Sequence, residues 1–462
     1  MAISVESILK ELGYEVEADV TRTHLEEWSE AYKGKIKGFH NYSEYNGDRL
    51  VDKERKTLGM AKKCCEDWAD NIFNDNVYIQ VDEKNEKFKK ALSDVWKANK
   101  FRRKFTELLE LTFSQGTGAI VEFKENNVTK MNYYNAKHIY PLKVENGEII
   151  SCAFTSNDTD NQVWIQIHDK QSSGSYKIIN RTYQQSKDNS ITLVVDGLKE
   201  EDKSKIKLFQ ILKPNIVNNF NLDSGMGISC YANAFDELKK VDKTFDSYDN
   251  EIEAGRKRVF VLADATQVNI STNENTQQTT LVPLFDPNQT TFYRLPGEKD
   301  KTVVQETQGE LRVTDLTNAL QTDLNLFGRK VGLGGDYYSF KDGTVYTNQT
   351  QVISSNSAFY KTLKKHEIIV LEVIEELVNA IHYLLYNKEY QGDVTVDFDD
   401  SIVEDTAEIK RQAMLEFNAE LIDEIQYYQD VYKMTEKQAM EFYEKLSKRK
   451  ADSLEEDPPP EE

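Results

Sequence analysis

"SGMGISCYANAFDELKKVDKTFDSYDNEIEAGRKR" runs from Ser224 to Arg258. A small glycine-bearing turn leads directly into a long charged helical pattern, and the fold depends on what that turn is. A phosphate cradle needs several backbone N–H groups converging on one anion, usually with a Lys and a Ser or Thr at the start of the helix. Gly225 and Gly227 are present, but there is no Gly-Lys-Ser or Gly-Lys-Thr and no apolar strand directly before them. The turn therefore reads as a hinge. In the helix that follows, Leu238, Val241, Phe245, Tyr248 and Ile252 recur three, four, three and four residues apart, a single narrow apolar seam. One seam predicts one long neighbour. The other faces carry Lys239, Lys240, Asp242, Lys243, Asp246, Asp249 and Glu251, and the helix is predicted to close on Arg256, Lys257 and Arg258, where the macrodipole favours cations. A matching stripe of Leu316, Leu320, Leu324, Phe327 and Val331 lies in "GELRVTDLTNALQTDLNLFGRKVGL", Gly309 to Leu333.

Outward from this pair the chain alternates between helical and extended patterns. Up to about Asn126 it reads as mostly helical, with apolar residues three and four apart in "RKTLGMAKKCCEDWADNIF" (Arg55 to Phe73) and "ALSDVWKANKFRRKFTELLELTF" (Ala91 to Phe113). From Gly118 to Gly197 the runs become short and alternating, as in "QVWIQIHD" and "SYKIINRTYQQ", which predicts an antiparallel, solvent-facing sheet. Strands and loops are expected again from Val259 to Glu306, between the two amphipathic helices. The second of these ends in a glycine-rich aromatic loop, "GLGGDYYSFKDGTVYTN" (Gly332 to Asn348). The most apolar helix of the chain follows, then one strand, "DVTVDFDDS", about two further helices and an acidic, Pro-ended tail, "ADSLEEDPPPEE". The fold class is α+β, mainly helical.

Bulk properties exclude several functions. The chain has 462 residues, enough for more than one packed unit, and a net charge of −21, which lacks the basic footprint of a DNA-wrapping protein. No stretch approaches a membrane span, and the N-terminus lacks the order of a signal peptide, so a cytosolic site of synthesis is expected. Cys64, Cys65, Cys152 and Cys230 form no CxxC and read as reduced, buried thiols. Asp397, Asp399, Asp400 and Glu404 form an acidic run of the kind that holds a divalent ion in a phosphoesterase or nuclease; the competing reading is a solvated strand end. The six histidines have no ligand spacing, and no nucleophile signature is present, so no catalytic residue and no cofactor are expected.

The order of these parts resembles the portal proteins of long-tailed bacteriophages, in particular those of Gram-positive hosts. The resemblance is carried by "ILKPNIVNNFNLDSGMGISCYANAFDELKKVDKTFDSYDNEIEAGRKRVFV" (Ile211 to Val261), "YNGDRLVDKERKTLGMAKKCCEDWADNIF" (Tyr45 to Phe73) and "VTVDFDDSIVED" (Val394 to Asp405). It implies a portal fold: a wing over 1–232, a first stem helix over 233–258, a clip over 259–306, and a second stem helix over 307–332. A channel loop would span 333–350, a spine helix with a return strand 351–402, and a helical crown 403–450, before a tail at 451–462. Gly332, Gly334 and Gly335 would give the channel loop its φ > 0 freedom, and Tyr337, Tyr338, Phe340, Lys341 and Asp342 would face the channel or a neighbouring subunit. The resemblance further implies a non-enzymatic virion component made in the host cytoplasm. It would form a homo-oligomeric ring, usually a dodecamer, at one capsid vertex. Its partners would be duplex DNA, the terminase large subunit, the head-tail adaptor, and the major capsid and scaffolding proteins.

Elementary geometry permits such a ring. Twelve helices about 10 Å across, side by side, enclose a circumference near 120 Å and a bore of roughly 28 Å, which admits duplex DNA. A heterologous contact repeated around a closing rotation generates it. An acidic wall suits a conduit, because one that gripped phosphates would release counterions and hold the DNA in place. Two rival readings stand beside this one: a metal-dependent phosphoesterase or nuclease built on the Asp397 to Asp400 cluster, and a monomeric adaptor or scaffold that uses the helical pair to bind one partner helix.

Overall fold

The computed structural model describes residues 5–17, 19, 21–45, 47–81, 86–157, 162–185, 191–194, 201–255, 258–262, 268–272, 279–283, 292–295, 304–307, 311–340, 349–398, 406–419, 421–432, 434, 439–440, 442–443 and 445–447. They fall into two compact units. The larger holds 1–74 and 79–395, the smaller 75–78 and 396–462.

The larger unit opens with helices α1 (Val5–Glu11) and α2 (Thr21–Tyr32) and a hairpin of β1 (Asn41–Tyr45) and β2 (Leu50–Glu54). Helix α3 (Met60–Ile72), strand β3 (Tyr78–Val81), α4 (Glu86–Ala98) and α5 (Phe101–Gln115) follow. The hairpin was hidden inside the helical reading of the first segment. The Ala91 to Phe113 pattern divides into two helices because Asn99 and Lys100 interrupt it. The Asn99 side chain donates to Val95 O at 2.8 Å, capping α4, and its oxygen accepts the Met131 N–H at 3.0 Å. Lys100 takes the left-handed conformation at φ 52°.

Next come β4 (Gly118–Glu125), β5 (Val128–Asn135), β6 (Ile139–Glu145), β7 (Glu148–Asn157), β8 (Gln162–Lys170), β9 (Tyr176–Gln185), β10 (Ile191–Val194), β11 (Glu201–Ser204) and β12 (Phe209–Leu212). Their pairing is antiparallel throughout, as expected: one sheet runs β10-β9-β8-β7-β6 with β11 also on β9, another runs β12-β4-β5. The sheet is not solvent-facing, however. Ala153 and Phe154 point to opposite faces and both are fully buried. On one face Ala153, Ile165, Ile167 and Ile179 pack against Ile8 and Leu9 of α1. On the other, Phe154 and His168 lie 5.5 and 5.3 Å from the Phe209 ring of β12. Each such apolar side chain contributes roughly 1.5–3 kcal/mol on burial.

The two amphipathic helices are α6 (Phe235–Ala254) and α7 (Val313–Val331). Between them lie β13 (Arg258–Leu262), β14 (Val268–Thr272), β15 (Thr279–Pro283), β16 (Phe292–Leu295) and β17 (Val304–Thr307). Strand β13 is central, parallel to β16 and antiparallel to β17, while β14 and β15 form a separate hairpin. The strand pattern expected for the insert is present. Its last strand takes residues 304–307, so α7 starts at Val313 rather than at 307.

Helix α8 (Gln349–Tyr386) has 38 residues and no proline, a rod of about 57 Å. It buries Leu363, Val370, Ile374, Leu377 and Ile381. Near its start it joins α3 and α5 around Trp68, whose ring lies 5.9 Å from Phe113, 5.8 Å from Phe359 and 4.9 Å from His366. Strand β18 (Val394–Asp397) follows.

The smaller unit contains α9 (Thr406–Asn418) and α10 (Glu424–Tyr432). Asp423 caps α10 by accepting the Gln426 N–H at 2.7 Å, and Phe417 lies 5.4 Å from Tyr427 across the joint. The acidic tail at 451–462 lies outside the described residues.

Candidate functional site: the helical hairpin, its entry turn and its exit loop

The entry turn of α6 is a buried joint. The Gly227 N–H donates to Thr117 Oγ1 at 3.0 Å, Cys230 N–H to Phe113 O at 2.9 Å, and Met226 N–H to Ser224 Oγ at 2.9 Å. These amides are spent on the protein itself and do not converge on an anion. The chain passes so close to the end of α5 that a Cβ on Gly227 would lie 2.3 Å from Gly116 O, and one on Gly116 2.5 Å from Gly227 O. The expected hinge is thus a close-packed joint, at which neither Gly116 nor Gly227 has room for a side chain.

Helices α6 and α7 pack antiparallel, as their stripes predict. Lys330 pairs with Glu237 at 2.8 Å at one end, and Arg312 pairs with Glu251 at 2.7 Å at the other. Between them Asp323, 4 % exposed, accepts from Lys240 Nζ at 2.8 Å and Thr244 Oγ1 at 2.7 Å. The Arg312 guanidinium donates to both Glu251 oxygens and holds that carboxyl below its usual range. The apolar stripes change character along the hairpin. Leu238, Val241, Leu320, Leu324, Phe327 and Val331 are buried. Phe245, Tyr248 and Leu316 are only half-buried, Ile252 is 41 % exposed and Leu311 49 %. Arg256 and Lys257 lie outside the described residues. Arg258 does not end a helix: α6 stops at Gly255, and Arg258 is the first residue of β13.

The charged faces of α6 are also used. Asp242 is buried, with Oδ2 3.1 Å from His40 Nε2 and Oδ1 accepting the Leu58 N–H at 2.8 Å and the Thr57 hydroxyl at 3.1 Å. One helical turn on, Asp246 accepts the Lys56 N–H at 3.0 Å, and Asp249 pairs with the Lys56 ammonium. Sequence reading missed these carboxylates, since their partners lie nearly two hundred residues away and no local pattern marks them. The seam thus has its long neighbour in α7, and the charged faces of the helix have a second neighbour in the 55–58 segment.

The loop after α7 begins with a left-handed cap. Gly332 has φ 88° and Gly334 φ 104°, as the glycine spacing implied, but Gly335 does not take positive φ. The loop is tethered. Tyr338 donates its hydroxyl to Asp67 Oδ2 of α3 at 2.8 Å, Asn71 donates to the Tyr337 hydroxyl at 3.2 Å, and Phe340 N–H donates to Gln321 Oε1 at 2.8 Å. Burial pushes the Tyr338 phenol well above its ordinary range, with nearby Cys64 and Asp67 adding to it. Phe340 remains 52 % exposed and Tyr337 42 %. Lys341 and Asp342 lie outside the described residues.

Residues 14–453 match the family described as phage portal protein, SPP1 Gp6-like. The chain belongs to that phage portal protein family. No curated protein matches it. The family is one of structural virion proteins, and the match spans the hairpin, its entry turn and its exit loop together. Among the described residues no group of His, Cys, Asp or Glu is placed to hold a metal ion. Asp397 stands exposed at the end of β18, and Asp399, Asp400 and Glu404 lie outside the described residues. No helix among the described residues is long and apolar enough to cross a membrane. All four cysteines are unbridged and buried, and Cys64, Cys65 and Cys230 sit together, with Sγ–Sγ distances of 3.5 Å and 3.9 Å to Cys230. That grouping was invisible in the sequence.

Proposed function

We propose that this chain assembles into a closed ring, of about twelve copies, that forms the DNA channel at one vertex of a phage capsid. The observation that carries the reading is the α6–α7 hairpin, whose apolar stripes are buried near the body of the subunit and increasingly bare toward the strand-rich insert. A hairpin that leaves Ile252 of α6 and Leu311, just before α7, uncovered in a single chain is suited to a flank that a neighbouring copy covers. In this reading α6 and α7 are the stem, residues 259–306 the clip that docks the terminase motor and later the head-tail adaptor, and α8 the spine. Residues 333–350 form the channel loop, with Phe340 and Tyr337 as the aromatics available to DNA or to the next subunit. The wing, 1–232, faces capsid and scaffolding proteins, and 403–450 form a short crown. Many ion pairs hold the stem while the chain keeps a net charge of −21, so its wall would let duplex DNA slide rather than bind it.

Native mass measurement with electron-microscope images of the same sample tests this directly. Rings of many 53.4 kDa subunits around a central hole are the expected result. A protein that stays monomeric when mixed with its scaffolding and capsid proteins would overturn it.

A further inference from the structure

A cavity of about 270 Å³ lies in the β region, away from the hairpin. It is walled by Trp164 and Gln166 of β8, Ile178 and Asn180 of β9, Glu122 of β4, Leu208 before β12, and Leu384 near the end of α8. Its rim carries exposed Lys124, Glu125 and Asp202. Two features set it apart from an ordinary packing gap. Glu122 is 1 % exposed and Gln166 5 % exposed, and among the described residues neither Glu122 Oε1 nor Gln166 Oε1 has a hydrogen-bond partner. A buried oxygen left without a donor costs about 1–3 kcal/mol, so two of them on one cavity wall mark an acceptor site awaiting a donor.

The rim cation does not supply it. Lys124 Nζ donates to Leu384 O at 3.2 Å, at the end of α8. Apart from Asn180, the remaining walls, Ile178, Leu208, Leu384 and the Trp164 ring, are apolar or aromatic. A ligand matching both parts has a cationic nitrogen with several N–H donors and a short hydrocarbon chain. Trp164 would add an attraction for the cation over its face.

We propose that this cavity binds a small alkylammonium ion, its nitrogen donating to Glu122 Oε1 and Gln166 Oε1 and its chain lying along Ile178, Leu208 and Leu384. The volume suits a molecule of a few heavy atoms and falls just below the usual range for larger ligands. Burial raises the Glu122 carboxyl well above its ordinary range, against the opposing pull of its own backbone N–H, Lys207 and Gln210, and Glu376 adds to the rise. Tyr133, whose hydroxyl is also buried without a partner among the described residues, is held neutral beside it.

The proposal is independent of the channel reading and is tested on the full chain with butylamine as probe and butanol as its neutral counterpart. Calorimetric titration near pH 7 is expected to show saturable binding of butylamine and no binding of butanol. Glu122→Gln should weaken binding about tenfold or more. Ile178→Phe, which fills the space without touching the acceptors, should also weaken it. Absence of saturable butylamine binding, which would mean that the cavity holds ordered water only, overturns the proposal. So does equal binding of butylamine by wild type and by both folded variants.

Discussion

Asp242 of α6 and His40 form a buried pair, 3.1 Å apart with side chains 4 % and 3 % exposed, in which the imidazole donates. The direction follows from the other ring nitrogen: His40 Nδ1 accepts the Ile36 N–H at 2.9 Å, so Nε2 carries the proton. The carboxylate also accepts from Leu58 and Thr57, so one side chain ties the stem-like helix to three groups that flank the β1–β2 hairpin.

Removing that anchor is expected to be costly. Asp242→Ala leaves the His40 N–H and the Leu58 amide without an acceptor, and should destabilise the larger unit by about 3 kcal/mol or more. Asp242→Asn keeps an acceptor oxygen and should lose less. Urea unfolding, with limited proteolysis read at residues 41–54, checks both; unchanged midpoints for Asp242→Ala would refute the anchor.

Tyr338→Phe deletes the hydroxyl donated to Asp67 and is expected to cost about 1–2 kcal/mol while releasing the loop from α3. Because the folded phenol titrates above its ordinary value of 10.0, its contribution is present below pH 10 and is lost as the pH rises toward the folded value. The variant should therefore flatten the alkaline side of the stability curve. Parallel alkaline limbs for the two proteins would argue against the tether.

Gly116→Ala places a Cβ 2.5 Å from Gly227 O at a residue with φ +82°. Strain and overlap act together, and a loss of about 3 kcal/mol or more is expected. The Gly13→Ala control, also at positive φ but with open space around it, should bear only the backbone cost of about 1 kcal/mol. Melting temperatures of the two variants separate crowding from conformation.

At Ile252 the expectation reverses. Ile252→Asp alters an exposed residue of the free chain, so its stability should stay within about 0.5 kcal/mol of wild type. If a second copy covers this flank, the substitution should nevertheless prevent higher assembly. Sedimentation velocity reads the outcome, and rings formed as readily by Ile252→Asp would remove this flank from the contact.

The antiparallel pair was legible in the sequence because its information is local. Leu238, Val241, Leu320, Leu324 and Phe327 repeat at the period of the helix itself, and that period alone selects one face. The strands of the insert were legible for the same reason. The expected basic helix end was not, because Gly255 stops α6 before Arg258, which pairs instead with Thr307 of β17. Such a strand partner is distant in sequence.

Sequence by itself thus determined the alternation of helical and extended segments, the two facing stripes, the glycine cap at Gly332 and the order of parts shared with the portal family. The tertiary structure alone decided which polar residues are buried: Asp242 against His40, Tyr338 against Asp67, Glu122 beside its cavity, and Cys230 against Cys64. Periodicity reports how a side chain points relative to its own helix or strand, a property of neighbours in the chain. Which carboxylate meets which donor depends on segments brought together across the fold, and short-range spacing carries no record of that meeting.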